Sequence, residues 1–131
     1  MLSDYIGIPF VDMGREPVID GGLDCWGLVR YYYNRELGIK LPEYRISSLY
    51  DCDIQKLVNN EVNAKSKFEI LDKPIENCIV TMKLGSEYVN HTGIFVNNKI
   101  LHTYKGTNSC LVFHDNPLWF SKIISYLRFK R

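Results

Sequence analysis

The chain has 131 residues, 46% of them hydrophobic and 24% charged, with 16 basic against 15 acidic side chains and a formal charge of +1. That length supports one core, so a single domain over residues 1–131 is expected. The balanced charge offers no basic field for a nucleic-acid backbone, and no apolar run approaches the roughly 20 residues of a membrane span.

The first ten residues, MLSDYIGIPF, lack the basic start and apolar stretch of a signal peptide. Synthesis and retention in a cytoplasm, or export by a route not written in this stretch, is therefore expected, with the cysteines reduced. Residues 1–23 read as an irregular lead-in punctuated by Gly7, Pro9, Gly14, Pro17, Gly21 and Gly22. A helix follows from about Cys25 to about Leu37. Asp24 can cap it by accepting first-turn N–H groups, Leu28, Val29, Tyr32 and Tyr33 recur at helical spacing, and Gly38 is a natural stop. Tyr31, Tyr32 and Tyr33 read as a bulky band of core and boundary. The stretch KLPEYRISSLY reads as an extended connector. A second helix is expected from Asp53 to about Val62, with Asp51 and Asp53 as caps.

Beyond Lys73 the period changes. CIVTMKL, HTGIFV, KILHTY, CLVFH and IISYLRF are short and rich in β-branched and aromatic residues. Asn97-Asn98 suits a two-residue hairpin loop, because Asn tolerates positive φ. Pro117 to Ser121 reads as one short helical turn, with Trp119 anchoring it against the sheet. The fold class is α+β, with N-terminal helices packed on a C-terminal antiparallel sheet.

Cys25, Cys52, Cys78 and Cys110 form no C-x-x-C pair, which argues against zinc. Three of them read as packing residues. Cys25 is different, because a helix start can stabilise a thiolate, although burial is the competing account of any free cysteine. The hairpin register supplies possible partners. With a loop at Asn97-Asn98, Val96 pairs with Lys99, and His91, Gly93, His102 and Tyr104 share one face. The two histidines are then diagonal neighbours with Cβ atoms roughly 7 Å apart, and Gly93 leaves room for their rings. A nucleophile, a base and a group that orients the base make up the logic of a catalytic triad. His114 reads as a solvated loop histidine.

GLDCWGLV followed by HTGIFVNNKILHT resembles the NlpC/p60 family of papain-like cysteine peptidases, and the similarity runs from GIPF to the last strand. The variant DCWGLVR…ELGIKLP resembles the phage tail-assembly branch of that family. The resemblance implies the NlpC/p60 fold, with Cys25 as nucleophile, His91 as general base and His102 as the residue orienting it. It implies substrate contacts at Asp24, Trp26 and Phe10, and no metal or other cofactor.

The implied activity is hydrolysis of amide bonds in peptidoglycan stem peptides, typically between D-γ-glutamyl and a diamino acid. The implied setting is a phage or prophage tail with a tail-tip protein as partner, reached after synthesis in the host cytoplasm. Neither nucleic acid nor membrane is implied. Phe10 stands where many members carry a tyrosine, and Trp26 where cell-wall endopeptidases often carry serine, so the specificity is expected to depart from theirs. Two alternatives stand beside hydrolysis: a structural role in tail assembly on the same scaffold, and acyl or amide transfer through the same thioester.

Overall fold

The computed structural model describes residues 1–43 and 67–130. The expected helix over 53–62, its caps Asp51 and Asp53, most of the connector, and Cys52 lie outside the described residues. The lead-in carries a 3₁₀ turn at Leu2–Tyr5 and a four-residue helix, α1 (Pro17–Asp20), which opens on proline and closes on Gly21 in the left-handed region. Both are too short to leave a periodic signature in the sequence. The lead-in is tied down by Ser109, whose hydroxyl donates to the Tyr5 carbonyl (2.6 Å) and accepts the Ile8 N–H (2.8 Å). The buried Tyr5 ring meets Tyr32 edge-on at 5.0 Å.

Helix α2 (Cys25–Tyr32) continues as a π turn over Tyr33–Leu37 and ends at Gly38 (φ 65°), so the expected span is filled although its last turn widens. Among the described residues six strands follow: β1 (Phe68–Leu71), β2 (Ile79–Met82), β3 (His91–Val96), β4 (Lys99–His102), β5 (Cys110–Phe113) and β6 (Ile123–Phe129), with α3 (Pro117–Phe120) before the last. They form one antiparallel sheet in the order β1-β6-β2-β3-β4-β5. Strand β1 was not expected from the sequence. It is a four-residue edge strand with only Phe68 buried, and the charged Glu69 splits its apolar pattern.

One face of the sheet, with Ile79, Ile94, Val96, Leu101 and Leu127, is packed by Leu28, Val29 and Trp26 of α2. The other face carries a smaller cluster of Val80, Met82, Phe95 and Ile100. The hairpin register is as expected: Val96 pairs with Lys99, Phe95 with Ile100 and Ile94 with Leu101. Asn97 and Asn98 both have positive φ, 53° and 62°, as a tight hairpin turn requires.

Gly93 is required by close approach. A Cβ there would lie 2.7 Å from Ile100 Cγ2, 2.9 Å from the Leu101 carbonyl oxygen and 3.2 Å from His102 Cβ. Because the carbonyl is backbone and cannot swing away, Gly93→Ala is expected to destabilise the fold by about 1–3 kcal/mol, the usual range for overpacking. The check is a drop in the urea midpoint with an unchanged m-value.

Candidate active site

The site is built at the start of α2. Asp24 is the N-cap, with extended backbone, and its Oδ1 accepts the Gly27 N–H at 2.8 Å. The same carboxylate accepts the Met13 N–H at 3.1 Å and an Arg15 Nη1 hydrogen bond at 2.6 Å. Gly27 makes this possible, since a Cβ there would sit 2.0 Å from the Gly14 carbonyl oxygen. The Asp-Cys-x-Gly stretch is thus a lock between the lead-in and the helix. Asp24 is 1% exposed, and burial pushes its carboxyl pKa up against the opposing pull of Arg15 and the two N–H groups. The expectation that Asp24 contacts substrate does not fit this placement, because its oxygens are committed to cap and ion pair.

Cys25 occupies the first position of α2 and is 2% exposed. Burial, followed by the neighbouring Asp24 carboxylate, pushes its thiol up to about 11, while contacts with Thr92 pull it down. A thiol lowered by the helix start was expected. Here the cap takes up a first-turn N–H and sets a negative charge beside the sulfur. The resting group is therefore a neutral thiol.

The two histidines come together as the register required. His91 Nε2 lies 2.8 Å from His102 Nδ1, with ring centroids 5.1 Å apart. Both rings are buried, and burial pushes both well below the ordinary histidine range; for His91 the His102 ring adds to the effect. Both are neutral near pH 7. Strand alternation gives Thr92 to the side packed by α2 and the two imidazoles to the other side. His91 opens β3, and Cys25 meets that end of the strand at Thr92.

His91 also lines a cavity of about 340 Å³ with Phe10, Asn90, Tyr104 and Lys105. Phe10 belongs to this cavity, and its backbone bridges to Leu23, two residues before Cys25. Trp26 does not reach it. Its indole is buried in the core beneath α2 and donates to the Pro42 carbonyl at 3.1 Å. The substrate contact that the resemblance implies for Trp26 does not fit this placement.

Sequence reasoning missed Arg15, Asn90 and Thr92. Asn90 closes the loop before β3, accepting the Leu84 N–H at 2.8 Å and donating to the Leu84 carbonyl at 2.9 Å. Its position directly before His91 was the available signal. Arg15 had none, because the eight residues between it and Asp24 include the short helix α1 and no periodic pattern that relates the two side chains. His114 is not a solvated loop histidine. Its Nε2 lies 2.7 Å from the Tyr126 hydroxyl, and its ring sits between Phe95 and Phe120. Trp119 packs against the sheet as expected, edge-on to His102 with ring centroids 4.6 Å apart.

Among the described residues no three His, Cys, Asp or Glu side chains converge as a metal-binding group, and no helix is long and apolar enough to cross a membrane.

This is a papain-like α+β layout: a helix-start cysteine packed against an antiparallel sheet that carries a histidine pair. The NlpC/P60 family model matches residues 7–128, so the chain belongs to the NlpC/P60 family.

Two curated relatives are similar. The chain is 28% identical over 119 residues to tail tip assembly protein K of Escherichia phage N15, covering 88% of this chain and 49% of that protein. It is 27% identical over 126 residues to the gamma-DL-glutamyl hydrolase of Bacillus subtilis strain 168, covering 95% of this chain and 27% of that protein. The chain thus spans half or less of the length of these relatives.

Among solved structures, it resembles a lipoprotein-like NLP/P60 protein of Staphylococcus aureus Mu50, with a TM-score of 0.67 at 19% identity over 98% of this chain and 38% of that one. It also resembles the NlpC/p60 domain of the peptidoglycan hydrolase SagA, with a TM-score of 0.62 at 18% identity over 97% of this chain and 92% of that one.

Two predictions follow from these charge states. Iodoacetamide labelling of Cys25, followed by peptide mapping, should keep rising through pH 9 without a plateau, as for a thiol above its free value of about 8.5. A plateau near pH 6 would show a preformed thiolate–imidazolium pair instead. The second concerns acid. Unfolded histidines take up protons below about pH 6.5, whereas the buried pair resists them, so the unfolded state binds more protons. Stability is then complete above about pH 6.5 and declines as pH falls toward the depressed folded values, by at most about 1.4 kcal/mol per pH unit for each histidine. Melting temperatures between pH 8 and pH 4 measure it, and His102→Asn should make the slope shallower.

Proposed function

We propose that the chain is a cysteine peptidase that hydrolyses amide bonds in peptidoglycan stem peptides, the D-γ-glutamyl–diamino acid bond being the preferred target, and that it works as a component of a phage or prophage tail. The observation that carries this reading is the His91–His102 hydrogen bond. It commits His91 Nε2 and leaves Nδ1 as the ring nitrogen for the thiol proton. The named activity of the gamma-DL-glutamyl hydrolase supports the choice of bond, and the tail tip assembly relative supports the setting and a tail-tip protein as partner.

In this reading the thiol approaches His91 around the open end of β3, where Cys25 already meets Thr92. Sulfur attacks the substrate carbonyl carbon as His91 Nδ1 takes the thiol proton, so charge appears only as the bond forms. The backbone N–H of Cys25 faces the developing oxyanion. His91 then returns the proton to the leaving amine, the C–N bond breaks and a thioacyl-enzyme remains. A water molecule, deprotonated by His91, attacks the thioester, and the sulfur departs and recovers its proton. Nucleophile, base and orienting group are all side chains, so the sequence of steps calls for no metal. Phe10 at the cavity wall presents an apolar ring where a hydroxyl would bond substrate.

The similarity to a tail assembly protein favours one second reading, in which the scaffold serves assembly with little hydrolysis. Mass spectrometry of purified muropeptides separates the readings. Wild type should release the split stem peptide, a transferase would yield an amine adduct, and an assembly protein would yield neither.

Cys25→Ala and His91→Ala should each lower kcat/KM by more than about 10³-fold, since nucleophile and base act as a unit. His102→Ala should lose less, and His114→Ala should keep kcat/KM close to wild type while its melting temperature falls, because the ring packs between Phe95 and Phe120 and bonds the Tyr126 hydroxyl. If His114→Ala is as damaging as His91→Ala in a folded protein, the base is misassigned.

A further inference from the structure

The tautomers of the histidine pair are coupled. If His91 Nδ1 is to accept a proton, His91 must carry its own hydrogen on Nε2 and donate it to His102 Nδ1. His102 must then carry its hydrogen on Nε2. That nitrogen is buried, in a side chain that is 0% exposed, and has no hydrogen-bond partner among the described residues. A buried N–H without an acceptor calls for an account. The neighbouring groups supply one. The Trp119 indole stands nearly perpendicular to the His102 ring, at 78° and 4.6 Å between centroids, and Tyr104 lies 5.6 Å from His102 and 5.8 Å from Trp119.

We infer that Trp119 is a positioning residue for the histidine pair: its π face receives the His102 Nε2–H and so holds both rings in the tautomer that leaves His91 Nδ1 unprotonated. The inference rests on the assignment of His91 as base. The alternative tautomer would put a lone pair of His102 against the negative face of the indole and a hydrogen on His91 Nδ1, where it would block proton transfer. An N–H···π contact is weak, and its loss corresponds to roughly a two- to fivefold change in the tautomer ratio. Trp119 therefore tunes the pair and does not touch substrate. α3 supplies it. This helix follows β5 in the chain, and the Asn116 side chain caps it through the Leu118 N–H at 3.0 Å.

The test is a long-range ¹H–¹⁵N correlation spectrum of the uniformly labelled full chain at pH 8, with Trp119→Phe and Trp119→Leu alongside. In wild type His102 should be a single tautomer protonated on Nε2, with that proton shifted upfield by the indole ring current. Trp119→Phe should keep the tautomer, because it keeps a π face. Trp119→Leu should move the proton downfield and admit the Nδ1–H form, with kcat on stem peptide down two- to fivefold at constant KM and restored in the Phe variant.

Protonation of wild-type His102 on Nδ1 would overturn the inference, as would an unchanged Nε2–H shift in folded Trp119→Leu. If Trp119→Leu does not fold, the wild-type shift and the Phe variant decide alone. The spectrum needs no substrate. A chain that shows the expected tautomer but cleaves no stem peptide sinks the peptidase reading and leaves the Trp119 contact standing.

Discussion

The buried carboxylate of Asp24 organises the functional end of the molecule. It caps α2 through Gly27, holds the lead-in through Met13, and pairs with Arg15. Arg15 passes the connection to Glu43 at 2.6 Å, and Glu43 accepts Arg30 of α2 at 2.7 Å. The chain before the helix, the helix itself and the segment after it are therefore joined through one charge network. Withdrawing one member of such a buried pair typically costs about 3–5 kcal/mol, and the lower end applies here because Arg15 retains some exposure. Gly27 completes the constraint by admitting the Gly14 carbonyl where no side chain fits.

That constraint has a chemical consequence for its neighbour. Burial resists ionisation of the Cys25 thiol, and the carboxylate that fixes the residue in place acts in the same direction. The histidine pair is likewise held neutral by burial. With a neutral thiol and neutral imidazoles, the three groups store no charge in the resting state. In the proposed mechanism proton transfer accordingly falls within the attack itself, and the histidine hydrogen bond and the inferred Trp119 contact would set the tautomer in advance. Rigidity around the pair, from Gly93 packed under Ile100 and from the Asn90 clamp on Leu84, belongs to the same design.

The parts legible in the sequence were those with a local rule behind them. Asp24 and Gly38 marked the helix because capping chemistry is local, and Asn97-Asn98 fixed the hairpin register because positive φ restricts the residue choice. Parity then delivered the histidine pair. Strand β1 was illegible because an edge strand of four residues buries a single side chain. His114 was misplaced because nothing in its neighbours distinguishes a packed imidazole from a solvated one, and for the same reason the sequence around Trp26 does not tell a core indole from one that meets substrate. Arg15 reaches Asp24 only through the folded path of the lead-in. The raised thiol was missed for a related reason, since the helix-start argument counts the dipole but cannot count the burial.

The central claim is that Cys25, His91 and His102 act as one proton-transfer unit across the end of β3. It is tested most directly by the rate at which a γ-glutamyl acyloxymethyl ketone modifies the protein at pH 7.5, followed by intact-mass and peptide mass spectrometry. The account predicts a single adduct on Cys25 whose rate of formation falls at least about 100-fold in folded His91→Ala. Adduct formation at Cys78 or Cys110 instead, or an undiminished rate in folded His91→Ala, would contradict it.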